Sequence, residues 1–495
     1  MDSALIPSNR DSDSLALQVR SAVIWRSGSQ ILAQLVQWAA TFLVIRILDP
    51  GDYGLFAMTQ VILVLFNMLN GYGLASGLIQ RDAVSRRQVR QLFGMLLLVN
   101  ASLAVAQLAL APLAAAYYRQ PIIADMLRVQ ALLYATTPFV ALSYALLSRE
   151  MDFRVQARVN ILASIASAST ALTCALAGLG VWTLVIAPLV LFSVRAIGMT
   201  VAVKMLVWPS FDFRGAGSIA RYGGIMAVGQ LFWFVESQAD IFIAGRAFSP
   251  HLLGIYTTGL FLTQIFVAKV VPPLNEVAFS AYARLQNDQR VFAYAFTRGV
   301  RVVMVAALPF YFGLVVTAEP LVLTMLGAKW AETIPVVRLL ALAMPFMTLQ
   351  VLFAPACDAL GQPGTSVRNG ATGALILAVA YLMGVQWGLT GLCWASVVAY
   401  PAYVLLSARR ALPVIGVRAR DLIDALAPAA LAATAMAIAV AGIDMMLPIK
   451  HPVTRLCLLA ALGVVVYAGW LLIFAQPLIA DLRSLVLRRP ANADR

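Results

Sequence analysis

Apolar residues in this chain come in runs of about 20 positions, and short polar segments separate the runs. A helix of about 20 apolar residues crosses the roughly 30 Å hydrocarbon core of a bilayer, because a helix rises about 1.5 Å per residue. We therefore predict an all-α membrane protein with fourteen spans, at residues 22–45, 54–79, 91–116, 127–148, 156–178, 181–203, 222–245, 252–280, 299–318, 335–356, 369–386, 388–407, 422–443 and 456–476.

Composition agrees with a membrane protein, since 61 % of the residues are hydrophobic and only 12 % are charged, against about 25 % charged residues in soluble domains. Most of the 36 Lys and Arg residues lie in alternate loops, which the positive-inside rule assigns to the cytoplasm. Both termini are then cytoplasmic, and the number of spans is even, fourteen or twelve. This distribution accounts for the net charge of +14 without a nucleic-acid partner.

The remaining composition predicts no metal or cofactor chemistry. The 4 cysteines lie within predicted spans and the 2 histidines lie at span ends, and neither set has metal-ligand spacing. We therefore expect no metal site and no disulfide framework. The first 20 residues are polar and mixed in charge, and we expect a cytoplasmic tail there rather than a cleaved signal peptide.

One loop pattern occurs twice. Residues 45–56 read IRILDPGDYGLF and residues 245–256 read GRAFSPHLLGIY, so Arg46, Pro50 and Gly54 recur 200 positions later. An arginine near a helix C-terminus interacts favourably with the helix dipole, and a proline ends one helix and opens the next. We interpret these residues as structural punctuation between two spans of a repeated unit, at the outer surface.

A second match extends the repeat. The stretch RVQALLYATTPF from Arg128 to Phe139 resembles RLLALAMPF from Arg338 to Phe346, which has three residues fewer before its Pro-Phe pair. Both copies run in the same direction under the charge rule, so we predict two parallel six-helix lobes around a central cavity. The predicted domains are a cytoplasmic tail (1–20), an N-lobe (21–210), a C-lobe (211–410), an extra helix pair (411–476) and a basic cytoplasmic tail (477–495). Rocking of two such lobes gives alternating access, which is transporter architecture.

Several loop and packing motifs resemble those of a known family. They are IRILDPGDYGLFAMT with the following GYGLASGLIQRD, ALLSREMDFR before the fifth span, and ALGQPG before the eleventh span. Over about residues 20–410 the chain resembles the polysaccharide-biosynthesis (Wzx-like) flippases of the multidrug, oligosaccharidyl-lipid and polysaccharide exporter superfamily.

The resemblance implies a multi-pass protein of the bacterial inner membrane. Such a protein translocates an undecaprenyl-pyrophosphate-linked oligosaccharide repeat unit from the cytoplasmic to the periplasmic leaflet, for exopolysaccharide or O-antigen-type assembly. The implied partners are the lipid-linked oligosaccharide, the bilayer lipids and the polysaccharide polymerase or export machinery. The resemblance implies neither enzyme chemistry nor a cofactor.

Charges within predicted spans are the candidate site, because a charge at mid-span costs about 2.5–3.5 kcal/mol and is a functional hypothesis by default. Glu236 and Asp240 share one face of span 7, and like charges four residues apart should not both stay ionised, so we predict proton or Na⁺ coupling there. Lys269 in span 8 is predicted to bind the pyrophosphate, and Arg195 in span 6 is a second candidate for substrate. The alternatives are charge pairing between helices and, for Arg195, snorkelling to the inner headgroups.

Other polar or helix-breaking residues surround these charges. Pro272 and Pro273 follow Lys269 and are predicted to kink span 8. Buried amides are expected to hydrogen-bond to sugar hydroxyls, or alternatively to neighbouring helices for about 0.6 kcal/mol each. The candidate amides are Gln30, Gln34, Gln230, Asn67 and Asn70.

Two other functions fit parts of the sequence. A multidrug cation antiporter of the same superfamily would have an acidic and aromatic cavity, which Lys269 opposes. A membrane glycosyltransferase or polymerase would use Asp49 and Asp52 as a metal-binding pair at the outer surface. The longest outer loop, residues 319–334, is short for an outer active site.

Overall fold

The computed structural model describes residues 28, 31–70, 86–149, 153–203, 207–212, 217–446 and 449–476, without the side chains of residues 148–149, 153 and 217–230. Its helices are α1 (Ile31–Ile47), α2 (Pro50–Leu69), α3 (Arg86–Tyr118), α4 (Ile122–Gln130), α5 (Leu133–Arg149), α6 (Phe153–Leu176), α7 (Trp182–Val203), α8 (Gly217–Ala247), α9 (Pro250–Lys269), α10 (Val271–Leu285), α11 (Gln289–Met325), α12 (Thr333–Val351), α13 (Phe353–Ala359), α14 (Pro363–Gly384), α15 (Gly388–Ile415), α16 (Ala419–Met446) and α17 (Pro452–Phe474). No strand occurs in these ranges, and the all-α prediction is confirmed.

The apolar helices follow the hydropathy pattern. In the ranges described, 11 helical segments are long and apolar enough to cross a membrane, and α1 is a shorter apolar helix. Every predicted span overlaps a helix, and three spans, 127–148, 252–280 and 335–356, are each divided by a helix break. The protein is therefore a multi-pass membrane protein. The count of fourteen spans and the cytoplasmic termini stay predictions.

The repeated loop pattern marks equivalent helix ends in the two halves of the chain. α2 begins at Pro50 and ends at Leu69, and α9 begins at Pro250 and ends at Lys269, so both bounds recur after 200 positions. Each proline occupies the first turn of its helix, where no intrahelical hydrogen bond needs its missing N–H. The predicted structural role of the pattern is confirmed.

The second match shows where the two copies diverge. The first copy is interrupted between α4 and α5, at residues 131–132, whereas the equivalent segment of the second copy lies within the single helix α12. The three additional residues of the first copy lie directly after this interruption. A short insertion therefore accompanies one helix break, and the helices on either side keep their order.

α9 and α12 are each about 30 Å long, and a short helix follows each of them directly. α10 begins at Val271 with prolines at its first positions, so the carbonyls at the end of α9 lose their helical donors. After α12, Pro355 has no N–H for the carbonyl of Val351, four residues earlier. The side-chain amide of Asn275 donates to this Val351 carbonyl at 3.3 Å. A polar side chain next to the first break thus satisfies the backbone group freed by the second.

The chain divides into two compact units, Met1–Leu231 and Phe232–Arg495. In the first unit, α3 and α5 form a buried cluster that Val207 completes from the segment after α7. This segment lies along the start of α3, where the N–H of Ser210 donates to the Arg90 carbonyl at 2.9 Å and Asp212 pairs with Arg87 at 2.9 Å. Gly94 permits this approach, because a Cβ there would collide with the Ser210 carbonyl.

In the second unit, α11 is the central helix and packs against α12, α16 and α17. Large side chains along α11 are fully buried, among them Phe292, Phe296 and Tyr311. Met436 and Val440 of α16 and Leu459 of α17 form a second cluster with the C-terminal half of α11. The extra helix pair α16–α17 is therefore an integral part of the packing of this unit.

A cluster of charges also holds the extra helix pair to the unit. Arg455 of α17 donates two hydrogen bonds to Asp444 of α16, at 2.6 and 2.7 Å. The same guanidinium lies 3.4 Å from Glu319 of α11, and Arg338 of α12 lies 3.9 Å from that carboxylate. Bidentate arginine–carboxylate pairs are among the stronger charge-assisted hydrogen bonds. Four helices are thus linked at the loop ends of α11, α16 and α17.

Candidate functional site

Two carboxyl groups on α8 lie in the interior of the second unit. Asp240 is only 5 % exposed, and its Oδ2 accepts a 2.8 Å hydrogen bond from the hydroxyl of Tyr256 on α9. Its Oδ1 accepts a 2.8 Å hydrogen bond from the N–H of Ile241. One turn earlier, half-buried Glu236 accepts a 3.1 Å hydrogen bond from the hydroxyl of Tyr403 on α15. The two carboxyl groups therefore bind to tyrosines on different helices.

Tyr403 joins Glu236 to a third helix. The side-chain amide of Gln350 on α12 donates to the Tyr403 hydroxyl at 2.6 Å, so the hydroxyl accepts one hydrogen bond and donates the next. The Tyr403 ring packs against Gly373 of α14, where a Cβ would occupy the same space as the ring. Glycine at this position therefore sets how closely α14 and α15 approach beside the carboxyl group.

Two further tyrosines complete the surroundings of the carboxyl groups. Tyr381 of α14 and Tyr400 of α15 are buried, lie within electrostatic range of both carboxyl groups and hydrogen-bond to each other. The Ser396 hydroxyl also donates to Tyr381, at 3.3 Å. We call Glu236, Asp240, Tyr256, Gln350, Tyr381, Tyr400 and Tyr403 the carboxyl–tyrosine cluster.

The cluster contains no ion pair among the described residues. Neither Glu236 nor Asp240 has a described Lys, Arg or His side chain within the 4 Å of a salt bridge. Charge pairing between helices was the alternative role for these two carboxyl groups. Hydrogen bonds from neutral hydroxyls take the place of cations in the described structure.

The first unit carries a neutral polar network instead. The amide of Gln130 donates to Thr59 at 3.2 Å, the hydroxyl of Tyr134 donates to Gln107 at 2.9 Å, and the amide of Gln107 donates to the Leu127 carbonyl at 2.7 Å. All four of these side chains are at most 3 % exposed. The network joins α2, α3, α4 and α5, and it contains no charged group.

The structure gives the two cationic candidates different surroundings. Arg195 is half-buried in α7, with its guanidinium carbon 5.8 Å from the ring centroid of Phe192. Lys269 is exposed and is the last residue of α9. The sequence predicts Lys269 as a charge inside one continuous span, and the helix break places it at the end of a 20-residue helix instead.

The amide candidates fall into three groups. Asn70 caps the end of α2, is 3 % exposed, and its carbonyl accepts a 3.0 Å hydrogen bond from buried Asn100. Asn67 is exposed and Gln34 is half-buried. Gln30 and the side chain of Gln230 lie outside the described residues. Sugar binding by these amides stays a prediction.

The acidic pair that could serve a metal-dependent enzyme has a structural role. Asp49 precedes α2, and its N–H donates to the carboxylate of Asp52 in the first turn at 3.2 Å. Acidic groups at a helix N-terminus interact favourably with the helix dipole. Over the described ranges, no three His, Cys, Asp or Glu side chains gather as a metal site.

Sequence reasoning found the two carboxyl groups but missed their partners. Tyr256, Tyr403 and Gln350 lie in ordinary apolar helices, and no local motif distinguishes them. The available signal is chemical, because a buried tyrosine hydroxyl needs a hydrogen-bond partner and a buried carboxyl group needs donors. Such pairs become visible only when the helices are placed beside one another.

Comparison with known proteins agrees with the family resemblance seen in the sequence. A family model described as "Polysaccharide biosynthesis protein" matches residues 43–335. The succinoglycan biosynthesis transport protein ExoT of Rhizobium meliloti is 26 % identical over 343 residues, which are 69 % of each chain. The lipopolysaccharide biosynthesis protein WzxC of Escherichia coli is 24 % identical over 302 residues, 60 % of each chain.

Solved structures share the fold. The chain is similar to the lipid II flippase MurJ in an inward closed conformation, with a TM-score of 0.75 at 12 % identity, over 92 % of this chain and 100 % of that one. It is also similar to an inward-facing multidrug resistance MATE transporter of the MOP superfamily, with a TM-score of 0.59 at 15 % identity, over 80 % of this chain and 100 % of that one. The predicted fold family is confirmed.

We expect Gly373→Ala to destabilise the second unit, because the added methyl group must displace the Tyr403 ring from its place beside Glu236. Overpacking of this kind costs about 1–3 kcal/mol of unfolding free energy. The matched control is Gly370→Ala on the same helix, where the nearest atom would be at an ordinary 3.9 Å. Thermal unfolding in detergent measures both. Equal melting temperatures for the two variants would contradict the close approach.

Proposed function

Because the chain belongs to the polysaccharide biosynthesis protein family, whose model covers residues 43–335, we propose that it moves a lipid-linked oligosaccharide across the bacterial inner membrane. The oligosaccharide and its pyrophosphate pass from the cytoplasmic to the periplasmic leaflet while the undecaprenyl chain stays in the lipid. The observation that carries this proposal is the family match, joined with a fold shared with a lipid II flippase and relatives named for transport in polysaccharide synthesis.

The proposed mechanism is alternating access, with fourteen spans and both termini in the cytoplasm. The N-lobe (21–210) and the C-lobe (211–410) rock against one another, and residues 411–476 are carried with the C-lobe. Support for the last point comes from the packing of α16 and α17 on α11 and from the charge cluster around Arg455. The process forms and breaks no covalent bond, so it requires no catalytic residue.

Deletion of the gene and a leaflet-resolved assay of the lipid-linked oligosaccharide test the function. We expect the complete repeat unit to accumulate on the cytoplasmic side and its polymer to be lost from the surface, with both restored by the plasmid-borne gene. A strain lacking the polymerase is the matched control, since it accumulates the repeat unit on the periplasmic side. Undiminished appearance of the repeat unit outside in the deletion strain would refute the proposal.

A second candidate function is multidrug cation export, and one observation favours it. The carboxyl–tyrosine cluster is acidic and aromatic, as a site for organic cations would be. The cluster is closely packed, however, because Asp240, Tyr256 and Tyr381 are at most 5 % exposed. A susceptibility test with cationic dyes distinguishes the two, since only an exporter of cations gives its deletion strain increased dye sensitivity with an intact glycan.

The carboxyl–tyrosine cluster is the proposed coupling site for a proton or Na⁺. An ionised carboxylate accepts several hydrogen bonds, and the described partners of Glu236 and Asp240 are neutral donors. Burying two such groups without cations is costly unless a proton or metal ion neutralises them. The described structure thus supports ion binding more than helix pairing through salt bridges.

We expect Glu236→Gln and Asp240→Asn each to reduce transport and to abolish its dependence on pH or on Na⁺, because the amides cannot gain or lose the coupling ion. Transport of the lipid-linked oligosaccharide into everted vesicles, at varied pH and Na⁺ concentration, measures this. Exposed Glu332→Gln on the loop before α12 is the matched control. If both cluster variants keep the parent's ion dependence, the coupling assignment is wrong.

Lys269 is the proposed partner of the carrier pyrophosphate. α9 starts at the outer surface in the proposed orientation, so its last residue lies at the level of the inner headgroups, where the pyrophosphate of an incoming substrate also lies. The helix break directly after Lys269 permits the side chain to change its surroundings as the lobes rock. Further proposed contacts of the same substrate are Arg195 and, for the glycan, the amides Gln30, Gln34, Gln230, Asn67 and Asn70.

We expect Lys269→Ala to lose transport and Lys269→Arg to retain part of it, because arginine also binds phosphate but with a planar fork. The measurement is the leaflet-resolved assay at matched membrane levels of each variant. Lys450→Ala, at an exposed lysine on the loop before α17, is the control for charge loss. Normal transport by Lys269→Ala would show that this lysine contributes only charge to the surface.

A further inference from the structure

α10 and the first turns of α11 form an open groove in the second unit. The groove has a volume of about 400 Å³, which falls within the range of small-molecule sites. α10 contributes Leu274, Val277, Ala278 and Ala281, which are spaced to lie on one helix face. α11 contributes Val291, Tyr294, Ala295, Arg298 and Val302, also on one face. Two apolar stripes thus face each other with space between them.

The groove has an aromatic contact near the turn between the two helices and exposed side chains on both helices. Near the turn between the helices, Tyr282 of α10 packs on Phe292 and Phe296 of α11, with ring centroids 5.2 and 6.4 Å apart. Val277 of α10 is 70 % exposed and Tyr294 of α11 is 61 % exposed. These values are high for side chains that line a cavity. The lining is therefore accessible to a ligand from outside the protein.

Helix length places the groove at a membrane boundary. The 20 residues of α9 rise about 30 Å, so in the proposed orientation, with α9 starting at the outer surface, α10 begins near the inner edge of the hydrocarbon core. α11 has 37 residues and is about 55 Å long, so its first turns also extend well beyond a core of about 30 Å. The groove between α10 and α11 consequently lies level with lipid headgroups and the adjoining acyl chains.

The charge around the groove is complementary to an anion. Residues 269–301 carry five cationic side chains (Lys269, Arg284, Arg290, Arg298, Arg301) and two anionic ones (Glu276, Asp288), a net charge of 5 − 2 = +3. Arg298 is the charged residue in the groove lining itself. An apolar groove with an arginine at headgroup level has the chemistry that an anionic lipid requires.

We propose that the α10–α11 groove binds an anionic phospholipid of the surrounding leaflet, with an acyl chain between the two apolar stripes and the phosphate at Arg298. The occupant is a lipid of the membrane and not the transported substrate, because the one arginine of the groove lining matches the single phosphate of a phospholipid rather than a pyrophosphate. The site is separate from the carboxyl–tyrosine cluster, and its existence does not depend on the proposed transport function.

Native mass spectrometry of the full chain in detergent tests the site, with phosphatidylglycerol and phosphatidylcholine as probes. We expect the parent to retain phosphatidylglycerol preferentially and Arg298→Gln to bind it about fivefold more weakly, the effect of one interfacial charge. Arg298→Lys should keep most of the affinity. Val277→Trp should fill the groove and weaken binding of both lipids.

Matched variants separate this site from general lipid contact. Arg420→Gln removes an arginine that is 90 % exposed. Val464→Trp enlarges a valine on α17 that is 68 % exposed. We expect both control variants to bind phosphatidylglycerol like the parent. Equal losses for Arg420→Gln and Arg298→Gln would overturn the proposal, as would equal affinity of the parent for the two lipids. Displacement of phosphatidylglycerol by undecaprenyl phosphate in the parent, but not in Val277→Trp, would assign the groove to the substrate carrier instead.

Discussion

The bilayer imposes one requirement on which the rest of this structure depends: a polar group that leaves water must find its partner within the protein. Continuous helices meet the requirement for the backbone, and at one helix break in the described residues a side chain supplies the substitute donor. The carbonyl freed by Pro355 at the end of α12 accepts a hydrogen bond from the amide of Asn275, which lies next to the break after α9. The same requirement explains why the buried carboxyl groups and amides occur in hydrogen-bonded sets.

The two halves of the chain share a frame but meet this requirement with different chemistry. The helix bounds coincide at an offset of 200, yet Glu236 and Asp240 have Val36 and Ala40 as counterparts, and Tyr256 has Phe56. Three polar groups of the second copy are thus apolar in the first. The first unit places its own polar groups elsewhere, in the neutral network around Gln107 and Gln130.

Hydropathy predicts the helices of this fold because lipid permits few other structures, and the duplicated loop predicts that two helix pairs are equivalent. Pro272 and Pro273 also predict a kink close to the end of α9. The break after α12 escapes prediction, since Pro355 lies near the end of an apolar span, where a proline is commonly tolerated in one helix. The partners of Glu236 and Asp240 escape it as well, because Tyr256, Tyr403 and Gln350 lie on three helices that only packing brings together.

The coincidence of helix bounds in the two copies has a genetic consequence. Residues 47–69 and 247–269 contain the same number of positions from the end of one helix to the end of the next. The two segments therefore differ by residue replacement without a net change of length, whereas the stretch around Ala131 is three residues longer than its counterpart. A chimera in which these two segments are exchanged within one reading frame keeps the length of every flanking helix. Such a chimera changes side chains without shifting the register of the helices.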